Sequence, residues 1–149
     1  MEVKLQGFAD LDKALQDIEK QATRKAVLRR ALKKAAEPMA ALAGGFAPIG
    51  ATGDLAASFA YSTKLNKRQR GIHRKMFRND KAAVEGFVGT NDPAGVQQEF
   101  GNENHGPQPA LRPAWDQDKG QLLDRLGEEI AADLEKTAAR AARKAAKGA

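Results

Sequence analysis

The segment Leu55-Ala56-Ala57-Ser58-Phe59-Ala60-Tyr61-Ser62-Thr63-Lys64-Leu65 decides the fold class. Leu55, Ala57, Phe59, Tyr61, Thr63 and Leu65 alternate with Ala56, Ser58, Ala60, Ser62 and Lys64, and successive side chains of an extended chain point to opposite faces. The alternation predicts a half-buried strand over 55–65. Residues 82–90, Ala82-Ala83-Val84-Glu85-Gly86-Phe87-Val88-Gly89-Thr90, suit an antiparallel partner closed by the turn-forming Asn91-Asp92-Pro93. Between them, Lys67 to Lys81 holds seven Lys or Arg residues against the single acid Asp80, with His73, Met76 and Phe77 interspersed. That stretch is too long for a tight turn and predicts an extended or partly helical excursion from the sheet.

Helical periodicity flanks this hairpin. Upstream, a short strand at Val3–Gln6 precedes Phe8, Leu11, Leu15 and Ile18, whose spacing stacks them on one face of a short amphipathic helix. Leu28, Leu32, Ala35, Met39, Leu42 and Phe46 then mark the core face of a longer helix, with Arg24, Lys25, Arg29, Arg30, Lys33 and Lys34 on the other faces. Pro38 predicts a kink or a restart near Glu37, and Gly44-Gly45 a frayed end. Downstream, the prolines and glycines from Gly101 to Pro113 read as a loop. A final helix begins near Pro113 or Ala114, with Trp115, Leu122, Leu126, Ile130, Leu134 and Ala138 as its buried face. Beyond Glu135 the chain is alanine with five Lys or Arg and no acid, a composition that favours helix but offers no large apolar face. The predicted fold is α+β: a small antiparallel sheet with helices packed on one face and a long C-terminal helix. One domain would span 1–137, with the basic excursion at 66–81 and an Ala/Lys/Arg-rich extension at 138–149.

Composition narrows the function. A chain of 149 residues fits one domain, and 42% hydrophobic against 30% charged residues is a globular balance. With no cysteine, disulfides, thiolate nucleophiles and iron–sulfur clusters are excluded. No run approaches the length of a membrane span and the start of the chain lacks a signal pattern, so a soluble, unexported protein is expected. His73 and His105 show no metal-ligand pairing. Glu99, Glu103 and His105 form the one acid/His cluster, and carboxylates beside a turn ordinarily face solvent or cap backbone donors. Gly44 to Gly53 lacks the Lys-Ser/Thr of a phosphate loop, and Ser58 and Ser62 have no strained elbow. No catalytic residue, no metal and no cofactor is predicted.

The net charge of +6 concentrates in one place. Lys67, Arg68, Arg70, Arg74, Lys75 and Arg78 read either as a solvated patch for an acidic protein neighbour or as a contact with nucleic-acid phosphates. The segment lacks a helix-turn-helix or zinc-finger frame and has one aromatic residue, so any DNA contact would be to backbone.

Three segments, taken in order, carry a resemblance. They are Ala47-Pro48-Ile49-Gly50-Ala51-Thr52-Gly53-Asp54-Leu55, then Glu99-Phe100-Gly101, then Pro107-Gln108-Pro109-Ala110-Leu111-Arg112-Pro113-Ala114. From about Phe8 to Ile130 the chain resembles the small neck and tail-completion proteins of long-tailed double-stranded DNA phages, also labelled head-tail joining or minor tail components. The resemblance implies a structural virion protein of the neck, forming a ring, hexameric in the virion, between the head connector or stopper and the tail tube or terminator. It implies host cytoplasm before assembly, no membrane, and possible contact with the DNA backbone in the channel. A free, sequence-independent DNA-binding accessory protein is the alternative. Pro48 and Gly53 are expected to shape the turn into the strand. Phe100 is expected to anchor in the core, with Gly101 letting the backbone leave it, and Leu111 and Trp115 to pin the last helix. Glu99, Phe100, Pro107, Pro109, Leu111, Arg112 and Pro113 are assigned to a subunit or neck-protein interface. Arg112 is left either paired with Glu99 or a neighbouring subunit's carboxylate, or exposed.

Overall fold

Alanine-rich sequence makes the helices and sets how closely they pack. In a computed structural model describing residues 7–9, 11, 13, 21–50, 52–79 and 84–148, the elements run α1 (Gln21–Phe46), α2 (Asp54–Ser58), β1 (Ala60–Ser62), α3 (Lys67–Met76), β2 (Phe87–Gly89), α4 (Ala94–Phe100) and α5 (Leu111–Lys147). The α+β class holds, with a small antiparallel sheet and a long C-terminal helix. The expected strand at Val3–Gln6 lies outside the described residues, as do Leu15 and Ile18. Phe8, Ala9, Leu11 and Lys13 are helical, and Leu11 is buried against Val27, Ala31, Ile130 and Leu134.

Helices α1 and α5 pack antiparallel. Arg30 meets Asp133, Lys34 meets Glu129 and Ala35 meets Arg125, so residue numbers rise along one helix as they fall along the other. The seam of α1 is Val27, Ala31, Ala35, Ala36, Met39, Ala40 and Ala43. Leu28, Leu32 and Leu42, expected at its centre, are only half-buried, and Phe46 is exposed. Small residues occupy the line of closest approach, where interaxial distance depends on side-chain size, and the larger ones flank it. Along α5 the row Ala114, Asp118, Leu122, Leu126, Ile130 and Leu134 repeats every four residues and faces the seam. Trp115 lies one position off that row and is 52% exposed, and Ala138 is exposed, which corrects two members of the expected face.

Proline 38 neither breaks nor restarts α1. It denies the Lys34 carbonyl its usual N–H partner. One residue on, the Ala35 carbonyl accepts bonds from Arg125 Nε (3.1 Å) and Nη2 (2.9 Å). Buried Asp118 grips the same guanidinium, at 2.9 Å from Nη1 and 2.6 Å from Nη2. A buried charge is stable only when paired and hydrogen-bonded, and both conditions are met here. At the surface, Arg30 binds Asp133 through two bonds, 2.7 and 2.9 Å, and these hold that carboxyl below its usual range.

The sheet is shorter than the alternation implied. Ala60 pairs with Gly89, Tyr61 with Val88 and Ser62 with Phe87, while Asp54–Ser58 is helical. Leucine and alanine are strong helix formers, so Leu55-Ala56-Ala57 fits a helical turn as readily as a strand edge. Gly53, at φ +69°, precedes that turn. The turn then packs on Gly44, where a Cβ would stand 2.7 Å from the Ala56 carbonyl oxygen. Gly44 and Gly45 are therefore inside α1, with Gly44 a point of backbone contact, and the frayed end is not observed. Ser58 donates to the Leu55 carbonyl at 2.7 Å and shares a hydrogen bond with the Thr90 hydroxyl, tying α2 to the end of β2. Phe59 and Val88 pack on the cluster formed by Met39, Ala43 and Ala114.

The two adjacent glycines give a paired prediction. Gly44→Ala should destabilise the protein by about 1–3 kcal/mol through overpacking. Gly45→Ala, with nothing within 4 Å of its Cβ, should stabilise it by roughly 0.5–1 kcal/mol through helix propensity. Urea unfolding of both variants checks this, and equal effects would contradict it.

Candidate functional site

The site begins where β2 ends. Thr90 Oγ1 accepts from the Asp92 amide (3.0 Å) and Asp92 Oδ1 from the Ala94 amide (2.9 Å), so the Asn91-Asp92-Pro93 turn launches α4. This seven-residue helix was not anticipated, because it is too short to display a period. It stops at Gly101, whose amide donates to Gln97 at 2.7 Å with φ +78°. A Cβ on Gly101 would sit 2.9 Å from the Pro107 nitrogen, so the following loop folds back over it. Asn102 Oδ1 accepts from the Asn104 and His105 amides at 2.8 and 3.0 Å. The Gln108 amide then returns to the Gln98 carbonyl at 2.6 Å.

That return delivers the start of α5 to Glu99. Glu99 Oε2 accepts from the Ala110 amide at 2.8 Å and the Leu111 amide at 3.0 Å, and Oε1 from the Arg112 amide at 3.0 Å. The next residue, Pro113, has no N–H, and the Ala114 amide already reaches the Ala110 carbonyl at 3.3 Å. Every free donor of the first turn is thus accounted for by one carboxylate from another helix. It also explains why α5 begins at Leu111, two residues before the expected start. Burial pushes the Glu99 carboxyl up, but the three backbone bonds and the Arg112 charge together outweigh it and hold the group below the usual carboxylate range.

The interface residues singled out from the sequence divide accordingly. Glu99, Leu111, Arg112 and Phe100 come together, but Phe100 is 65% exposed rather than a core anchor. Its ring lies 5.2 Å beneath the Arg112 guanidinium, so the Arg112 side chain stacks while its amide meets Glu99. Leu111 packs on the Met39 cluster. Pro107 is exposed, and Pro109 and Pro113 are half-buried. Glu103 is exposed and His105 Nδ1 lies 2.9 Å from the Gly106 carbonyl, so these two do not converge with Glu99. Pro48 follows the end of α1, half-buried.

The basic excursion is helix α3. Asn66 Oδ1 accepts from the Gln69 amide at 2.8 Å and Gln69 Oε1 from the Asn66 amide at 3.1 Å, a reciprocal cap that the Asn66-x-x-Gln69 spacing signals in the sequence. Lys67, Arg68, Arg70, Arg74, Lys75 and Arg78 are all exposed, and none forms an ion pair among the described residues. Between α3 and the sheet runs a groove of about 640 Å³ lined by Leu65, Ile72, Met76, Phe77 and Phe87. His73 sits over it, 4.9 Å from the Phe77 ring, 5.3 Å from Phe87 and 3.8 Å from Glu85. Ile72, Met76 and Phe77 remain 50%, 71% and 44% exposed. No helix among the described residues is long and apolar enough to cross a membrane.

Among protein families, the model described as "Bacteriophage HK97-gp10, putative tail-component" matches residues 9–101, more than half of the chain. The match takes in Glu99 and Gly101 and ends before the residues that Glu99 caps. No curated protein and no solved structure matches the chain.

Glu99→Gln should cost about 1–3 kcal/mol at pH 7, the worth of a charge-assisted set of bonds. Because the folded-state pKa is depressed, this stabilisation is present above the unfolded value, about 4.3, and is lost as pH falls through the folded value. The stability gap between wild type and variant should therefore close on acidification. Urea unfolding from pH 7 to pH 3 measures it, and a constant gap would contradict the cap.

Proposed function

The chain belongs to the HK97-gp10-like family of phage tail components, and from that premise we propose that it is a non-enzymatic ring protein of the neck. In this reading six copies complete the tail and join it to the DNA-filled head, with a connector or stopper above and a tail tube or terminator below. The family match carries the proposal. The geometry supports it in two ways. The 101–110 loop is held by its own hydrogen bonds and by Glu99, so Phe100, Pro107, Pro109 and Arg112 meet a neighbour at little ordering cost. The unpaired cations of α3 stand beside exposed Ile72 and Met76, a mixture suited to a protein neighbour.

A second reading, sequence-independent DNA binding, draws on the same α3 cations and on Arg140, Arg143, Lys144 and Lys147, exposed on the last turns of α5. The apolar residues of α3 weigh against it, because phosphates would leave them unburied. In the neck, the two readings meet if some of these cations face channel DNA.

The triple variant Arg70→Glu, Arg74→Glu, Lys75→Glu changes only exposed side chains. Its thermal midpoint should stay at the wild-type value, while phage carrying it should accumulate filled heads beside unjoined tails by electron microscopy. Normal infectious titre would overturn the neck assignment. Binding of wild type to duplex DNA that falls linearly in a log–log salt plot would favour the second reading.

A further inference from the structure

We propose that α3 of one copy docks on the outward face of α5 of a second copy, along Asp116 to Glu128. The inference rests on the ring reading for where it acts and adds which surfaces meet. On α5, Asp116, Gly120, Asp124 and Glu128 recur every four residues, and all are exposed. The three acids form no ion pair among the described residues. Leu123, 49% exposed, flanks this row three residues from Gly120. Gly120 leaves its middle open, with nothing within 4 Å of a built Cβ. Lys119 is the one cation between Trp115 and Glu128 outside the Arg125–Asp118 pair.

Helix α3 offers the complement. Ile72 and Met76 stand one turn apart and exposed on the rim of the groove beside the sheet, with Arg68 one turn before Ile72 and Lys75 beside it. The ten residues of α3 extend about 15 Å and the stripe from 116 to 128 about 18 Å, so the two ridges match in length. Charge then selects the pairing. Two copies meeting α3 to α3 would set cations against cations, and α5 to α5 acids against acids. Only the unlike faces are complementary. Such a contact joins different surfaces of successive copies, the kind that propagates head to tail and closes into a ring. DNA as the occupant would leave Ile72 and Met76 against phosphates, whereas Leu123 gives them an apolar counterpart.

The test uses the absence of cysteine from the chain. Phage are grown with the full-length protein carrying Ile72→Cys and Leu123→Cys, and purified tails are oxidised and run on a non-reducing gel. A ladder of covalent multimers is expected from the double variant and none from either single variant. Tails that contain the protein but give no ladder would overturn the docking and leave the ring reading standing. Tails that lack even the wild-type protein would overturn both. A single variant that crosslinks to itself would mean like faces meet, and would also overturn the docking. In parallel, Lys75→Glu and Asp124→Lys should each lower infectious titre about tenfold or more, and their combination should restore it. No restoration, together with duplex binding that Lys75→Glu weakens, would assign α3 to DNA instead.

Discussion

One carboxylate ties the short helix after the hairpin to the start of the long C-terminal helix. Glu99 belongs to the short helix that follows the hairpin, and the three amides it accepts belong to the long helix that packs on α1. A 37-residue helix of about 55 Å presents a concentrated set of unpaired donors at its start. Here that start lies against the protein, with Ala110 and Ala114 buried and Leu111 half-buried, and its donors are met by an anion supplied from within the chain. The conformation of the 101–110 loop follows from that requirement: Gly101 turns the chain, Asn102 folds it, and Gln108 brings it back to α4.

The same constraint explains the two short motifs. Glu99-Phe100-Gly101 and Pro107 to Pro113 are separated in sequence, and each alone has ordinary loop chemistry. Brought together, they supply acceptor, turn and donors for one cap. Pro113 fits because the third helical position needs no donor once the carboxylate has filled the first two and the N-cap. The exposed side of this junction is then fixed in shape, with Arg112 stacked on Phe100.

Much of the frame was legible in the sequence, and the misses have physical causes. Helical period located α1 and α5, and alternation located the hairpin. The seam of α1 was misplaced because leucines were ranked above alanines, although close-packed helices put the smallest residues on the contact line. The strand at 55–65 was overextended because a Leu-Ala-Ala segment carries helix propensity that a period-two count ignores. Hydrophobicity alone places Phe100 inward, and a carboxylate beside a turn reads either as facing solvent or as capping backbone donors. The helix terminus selects the cap for Glu99 and leaves Phe100 at the surface. The cap of α3 is written in the Asn66-x-x-Gln69 spacing, inside a segment whose composition is dominated by charge.

In the native protein the Ala110, Leu111 and Arg112 amides are held by Glu99. Native-state hydrogen exchange at neutral pH measures this directly. It should find these three amides protected as strongly as those of Ala131 to Leu134 in the buried stretch of α5. Exchange at open-loop rates, while the Ala131 to Leu134 amides stay protected, would contradict the cap and the junction built on it.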